Sequence, residues 1–247
     1  MAHQKINKIF VRTHGGLGNQ LFQVFHALLK SNRHESKLFL WHDDRYYHKF
    51  KLADCFRFIK SPDIIPMVLR FRIIKILNKL RVFGHIQMLS FWSNSYLDGY
   101  FQNIEIYSSF NRLEKEKILN LFRNIFMIEE SNNGESLLHL RLGDFFSDDG
   151  LKINQLDEML RNGCNKGCVD CITNEEKLVK ERIQLLQIDL RLISTQDFTP
   201  AQLLRLMSSY KRIVSNGSTL ATWAAILGCS NLASTDDQVK FAKLFAS

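Results

Sequence analysis

Short apolar runs alternate with amphipathic stretches at a regular spacing through the second half of the chain. Residues 136–140, 169–172, 190–193, 212–214 and 231–233 have the length and composition of buried strands. Stretches 155–161, 175–186, 200–209, 219–227 and 238–245 repeat apolar residues at helical spacing. One helix start is marked in detail. Thr199 stands as N-cap, Pro200 at the first helical position and Gln202 where a capping box needs it, with Phe198 and Leu203 placed for a hydrophobic staple. Gly228 follows 219–227 as a helix stop. Strands alternating with helices at this spacing predict a parallel sheet covered by helices.

The first half opens in the same way. Residues 9–11 read as a buried strand, 13–18 as a turn, 19–30 as a helix and 38–41 as a second strand. The pattern then loosens into a basic amphipathic segment at 67–82 and a long helical pattern at 104–126. The polar, glycine-containing stretch 129–134 predicts a boundary between an N-terminal domain, 1–133, and a C-terminal domain, 134–247. No internal repeat is found.

Hydrophobic residues at 45% and charged residues at 23% exclude a largely disordered chain. No run approaches the roughly 18–20 apolar residues of a membrane span, and 1–8 lacks the apolar core of a secretory signal. A cytoplasmic protein is expected. The net charge of +8 suits an anionic ligand. Nucleic-acid binding would rest on that charge alone and is not expected. In 67–82 the stripe Leu69, Ile73, Ile76, Leu77 and Leu80 is expected to face the core, with peripheral contact to a membrane as the other reading.

Ligands of open parallel sheets bind outside the carboxyl ends of the strands. Here those ends carry Arg141, Gly143 and Asp144; Thr173, Asn174 and Glu175; Ser194 and Thr195; and the run Ser215 to Thr219. The last run puts small donors and Gly217 at a helix start, where free N–H groups and the helix dipole suit a phosphate. Arg141 could bind phosphate oxygens with two parallel bonds, or form an ion pair with Asp144 or Asp148. His139, two residues earlier, shares its face on a strand. The glycine loop 15–18 is neither a dinucleotide fingerprint nor a Walker A loop, but a tight turn at which backbone can approach a ligand.

Gly15-Gly16-Leu17-Gly18-Asn19-Gln20-Leu21-Phe22-Gln23 resembles the opening motif of the α-1,2-fucosyltransferases, the group of bacterial O-antigen and blood-group H enzymes. Three further segments follow in that family's order: Leu97-Asp98-Gly99-Tyr100-Phe101-Gln102, His139-Leu140-Arg141-Leu142-Gly143-Asp144, and Leu206-Met207-Ser208 with Ser215-Asn216 and Trp223-Ala224-Ala225. Leu142 stands in place of the second arginine of the family's pair, Gly217 interrupts a Ser-Asn-Ser run, Thr222 replaces a tryptophan, and Thr173-Asn174-Glu175 replaces Ser-Asp-Asp.

The resemblance implies a GT-B-like α/β fold, two Rossmann-like halves with parallel sheets facing a cleft, the N-terminal domain 1–133 on the acceptor side and the C-terminal domain 134–247 binding the nucleotide-sugar donor. It implies inverting transfer of L-fucose from GDP-fucose to a sugar hydroxyl, α-1,2 to galactose, in glycan or O-antigen synthesis, without cofactor or metal. Gly16, Gly18, Asn19, Gln20, His139, Arg141, Thr173, Asn174, Ser215, Asn216, Ser218 and Thr219 are the implied donor contacts. Arg141, Asp144 and His14 are the leading catalytic candidates, with Asp148 and Asp149 also open as proton acceptors. A transferase using another nucleotide sugar and an inactive nucleotide-sugar-binding protein are the competing readings.

Cys164, Cys168 and Cys171 have the spacing of a radical-SAM cluster motif. They come late in the chain for that motif, Cys171 enters a strand, and a zinc site finds no fourth ligand close in sequence. Ordinary loop thiols are expected.

Overall fold

In the computed structural model, residues 8–42, 50–57, 64–67, 84–85, 94–129, 133–142 and 153–246 are described. The chain divides into two compact units, Met1–Ile125 and Phe126–Ser247. The division falls at the end of a helix, ahead of the polar stretch chosen from sequence.

The first unit holds a five-stranded sheet in the order β3-β2-β1-β5-β4. Its strands are β1 (Lys8–Thr13), β2 (Lys37–His42), β3 (Ile64–Met67), β4 (Gly84–His85) and β5 (Asn94–Leu97), every pairing parallel. Helix α1 (Leu17–Arg33) connects β1 to β2 and is buried over nearly its whole circumference. Short α2 (Leu52–Arg57) follows β2, and α3 (Arg112–Phe126) closes the unit. The helix expected over 104–126 is broken. A 3-10 turn at Ile104–Tyr107 is followed by a fresh start. There Glu114 N donates to Asn111 Oδ1 and Asn111 N to Glu114 Oε2, both at 2.8 Å. This reciprocal cap satisfies donors that a continuous helix would have used internally. The expected segment 67–82 lies outside the described residues beyond Met67.

The second unit has the order β10-β9-β6-β7-β8, again all parallel. It runs β6 (Asn133–Leu140), α4 (Ile153–Asn165), β7 (Cys168–Thr173), α5 (Glu176–Leu186), β8 (Arg191–Leu192), α6 (Pro200–Ser208), β9 (Tyr210–Ser215), α7 (Thr219–Leu227), β10 (Asn231–Ala233) and α8 (Asp236–Ala246). Leu137, Leu138 and Leu140 on central β6 are all buried, as a strand covered on both faces requires. Leu138 and Leu140 share one core with Leu156, Leu160, Cys168, Cys171, Val179 and Val214.

The Thr199–Gln202 capping box forms at α6, whereas Phe198 stays 41% exposed, so the expected staple does not bury it. Gly228 ends α7 for a different reason than a left-handed turn. Its φ is −86° and the positive φ belongs to Cys229. A Cβ at Gly228 would lie 2.1 Å from Ser208 O, so this glycine lets α7 close on the end of α6.

Asp170 on β7 is fully buried. Arg191 binds it through two hydrogen bonds of 2.6 and 2.9 Å, and Tyr210 OH donates to it at 2.7 Å. Burial pulls this carboxyl upward, but Arg191 and Tyr210 outweigh it and hold it below the usual range. A depressed carboxyl stabilises the fold above its unfolded value of about 3.9 and loses that contribution as pH falls through the folded value. Asp170→Asn is therefore expected to cost roughly 1.5–3 kcal/mol at neutral pH. Urea melts of both proteins should begin to converge only below about pH 4 and meet once the pH has fallen past the folded value. Gly228→Ala should lower stability by about 1–3 kcal/mol through overpacking against immovable backbone, read from the same melts.

Candidate functional site

Strand β6 continues to β7 and β8 on one side, and the chain then crosses to place β9 and β10 on the other. The topological switch point of the second unit therefore lies between the carboxyl ends of β6 and β9. Arg141 leaves β6 at that point and Asn216 leaves β9. The Asn216 side chain closes on the Arg141 backbone from both sides: Oδ1 accepts from Arg141 N and Nδ2 donates to Arg141 O, each at 2.9 Å. Leu142 N donates to Asn174 Oδ1 at 2.8 Å. Two asparagines from neighbouring strand ends thus fix the path of the chain beneath the Arg141 guanidinium.

Gly217 takes a φ of +105°, which a residue with a Cβ rarely adopts. Gln238 on α8 donates to Gly217 O at 2.7 Å and accepts from Ser234 Oγ at 2.8 Å, so the last helix holds the turn. Ser218 is the N-cap of α7, accepting from Ala221 N, and Ser215 Oγ accepts from Ser218 N. Thr219 opens the helix. Thr222, where the family resemblance has tryptophan, turns its hydroxyl back to Ser218 O at 3.2 Å. His139 is 6% exposed with its ring 3.5 Å from Ser215 Oγ. Burial, with the Arg141 charge adding, pushes its pKa to about 4, so the ring is neutral at neutral pH. Thr173 is buried and accepts from Glu175 N. Beside it, a cavity of about 450 Å³ is lined by 173–177, Thr195 and Gln196. Glu176 shapes its wall by accepting from Ser194 Oγ, Thr195 N and Gln196 Nε2. Glu176 and Gln238 carried no signal in the sequence, because Thr195 N and Gly217 O, which they bind, lie about twenty residues away.

The glycine-loop residues Gly16, Gly18, Asn19 and Gln20 belong to the first unit, with His14. There the switch point lies between β1 and β5. Gly15 turns the chain with φ +77° and Gly16 is the N-cap of α1. Gln20 has no N–H left for a ligand: its amide donates to Gly15 O and Phe50 O, and its oxygen accepts from Leu52 N, all at 2.8 Å. It shapes the loop through these three bonds. Gln23 Oε1 accepts from His14 N at 2.9 Å. Asn19 Oδ1 accepts from Gln102 Nε2 at 3.0 Å, which brings the first two motifs together.

His14 is 4% exposed, with its ring edge-on to Tyr100 at 4.8 Å and its Nε2 3.6 Å from Asp98 Oδ1. The ring is enclosed by these two neighbours. Asp98, with 31% of its side chain exposed, presents the accessible carboxylate, and Arg12 donates to its other oxygen at 2.8 Å. Asp98 lies within the second motif, but its role depends on Arg12 of β1 and on His14 just after it. Asp144, Asp148 and Asp149 lie outside the described residues.

Cys168 and Cys171 are not loop thiols. Both sit on β7 in the core, where burial pushes them to about 11 and about 12, while Cys164 ends up half-buried on α4. Among the described residues no group of three or more His, Cys, Asp or Glu is placed to hold a metal ion. Among them, too, no helix is long and apolar enough to cross a membrane.

No protein-family model matches the sequence, and no curated protein does. Solved structures do match. The α-1,6-fucosyltransferase NodZ crystallised with GDP is 11% identical, with 94% of this chain and 96% of that one covered and a TM-score of 0.55. NodZ from Bradyrhizobium is 12% identical, with the same coverage and a TM-score of 0.54. POFUT1 in complex with GDP-fucose is 10% identical, covering 95% and 100%, with a TM-score of 0.53. The fold is GT-B-like and fucosyltransferase-like. At these identities the likeness is one of fold.

The clasp on Arg141 makes a measurable prediction. Asn216→Ala removes both hydrogen bonds to the Arg141 backbone, at about 1–3 kcal/mol. Asn216→Asp, which keeps only the acceptor, should fall between that variant and the parent in urea melts.

Proposed function

We propose that the protein is an inverting glycosyltransferase that moves L-fucose from GDP-fucose to a sugar hydroxyl, with the diphosphate held at the β6/β9 switch point. The observation that carries this reading is Arg141, braced by Asn216 beside the N-terminus of α7. The four motifs in order support it, as do neighbours of the same fold crystallised with GDP or GDP-fucose. An α-1,2 linkage to galactose and a place in glycan or O-antigen synthesis belong to the same proposal.

The acceptor oxygen attacks the anomeric carbon as the bond to the diphosphate oxygen breaks, and the acceptor proton passes to a base or water. Negative charge grows on the departing diphosphate. Arg141 offers it a planar pair of N–H donors, and the first turn of α7 offers backbone N–H groups and the positive end of its dipole. The Arg141 backbone and the helix end are fixed before reaction, so little backbone reorganisation is needed when the charge develops. This stabilisation comes from fixed protein groups, so transfer is proposed to be metal-independent and to survive EDTA.

GDP and GDP-fucose should raise the melting temperature more than UDP- or CMP-sugars, because a ligand that binds only the folded state stabilises it. A larger shift with a UDP-sugar would overturn the donor. Arg141→Lys keeps the charge but loses the fork. It should cut turnover by about 10²–10³ at nearly unchanged melting temperature. A stable and fully active variant would remove Arg141 from the mechanism.

A further inference from the structure

The segment after β5 is held in a conformation that its residues do not favour. Gly99 has φ +155° and Phe101 has φ +51°, a left-handed value that is strained for a bulky side chain. Three contacts hold it there. The Phe101 ring stacks on the buried His26 ring at 4.5 Å and 10°. Tyr107 OH, fully buried, donates to Phe101 O at 2.7 Å. Gln102 is tied to Asn19 on α1. Burial, with Lys30 adding, pushes His26 to about 4, so it stacks as a neutral ring. Strain of this kind persists only where the surroundings over-determine it, and such places cluster at ligand sites.

The conformation turns Phe101 inward and leaves Tyr100 45% exposed, beside Asp98 and the Asn19–Gln102 pair. An aromatic face flanked by a carboxylate and two amides suits a ligand with one apolar face and a rim of hydroxyls. Asp98 is ionised at neutral pH, since the contacts of His14 and Arg12 outweigh the upward pull of burial. An ionised carboxylate repels phosphate and accepts strongly from hydroxyls. Such a ligand is a neutral pyranoside. β-Galactosides fit best, because their axial O4 leaves the C–H groups of C3, C4 and C5 together on one face.

We propose that the carboxyl ends of β1 and β5 form a pyranoside subsite, with Tyr100 stacking on the sugar's apolar face and Asp98 accepting from its hydroxyls. Tyr107 and His26 are positioning residues that act through Phe101. The role of this subsite as the place of the acceptor rests on the transferase reading above; its affinity for a sugar does not.

The full chain is titrated with methyl β-galactoside and followed by saturation-transfer NMR, with the thermal shift by GDP recorded on each preparation. Saturable binding is expected. Tyr100→Ala should weaken it by about two- to tenfold while Tyr100→Phe stays near the parent. Asp98→Asn should weaken it by roughly tenfold or more, the loss of a charge-assisted hydrogen bond. Tyr107→Phe should weaken it with Tyr100 and Asp98 intact. The GDP shift should survive in all four variants. No saturable binding by the parent, or binding indifferent to both Tyr100→Ala and Asp98→Asn, overturns the subsite. Sugar binding without any GDP shift supports the subsite and overturns the donor reading instead.

Discussion

Parallel strands cannot be joined by hairpins, so each connection must leave the carboxyl end of one strand and cross a face of the sheet to begin the next. Both sheets of this protein obey that constraint, and much else follows from it. Helices cover the faces, and the central strand of the second sheet carries consecutive buried leucines. The loops that leave the strands gather at one edge of each sheet. In both units the first strand lies in the middle and the chain reverses its direction of travel beside it, which opens a crevice there. Each pair of sequence motifs meets at one of these crevices.

The two crevices have opposite chemistry. In the second unit an arginine stands beside a helix N-terminus, and its backbone is gripped by Asn216 while Asn174 holds the next residue. That is an environment for developing negative charge. In the first unit Arg12 and His14 are turned onto Asp98, and an exposed tyrosine lies next to a carboxylate. That is the environment in which a neutral polar ligand is proposed to bind.

Polar residues do much of the shaping. Gln20, Gln23 and His26 follow at three-residue steps on a helix otherwise buried in apolar surroundings. Gln20 ties down the glycine loop, Gln23 holds the peptide of His14, and His26 supports Phe101. A buried amide is costly unless it is bonded, so these contacts specify one loop geometry more sharply than apolar packing could. Asp170, Arg191 and Tyr210 play the comparable role across three strands of the other sheet.

The order of strands and helices in the second unit was legible in the sequence, because periodicity and capping are local: α7 and β10 match to the residue, and the Thr199 cap forms as read. The crevice residues Arg141, Asn174 and Asn216 were legible too, since they sit at strand ends that local pattern can find. Their roles were not. That Asn216 grips Arg141, that Gln20 is spent on backbone, and that His14 is enclosed while Asp98 is open depend on partners tens of residues away. The same holds for Gly228, whose need to be glycine comes from Ser208 O on another helix. It holds also for the cysteines, whose spacing suggested a ligand set until β7 carried two of them into the core. Local sequence determines which segments become strands and helices, because hydrogen bonding within a turn and the burial of one face are settled over a few residues. Which polar atoms remain for a ligand is settled only by packing, since a side chain is free only after every distant backbone group that could bind it has been placed.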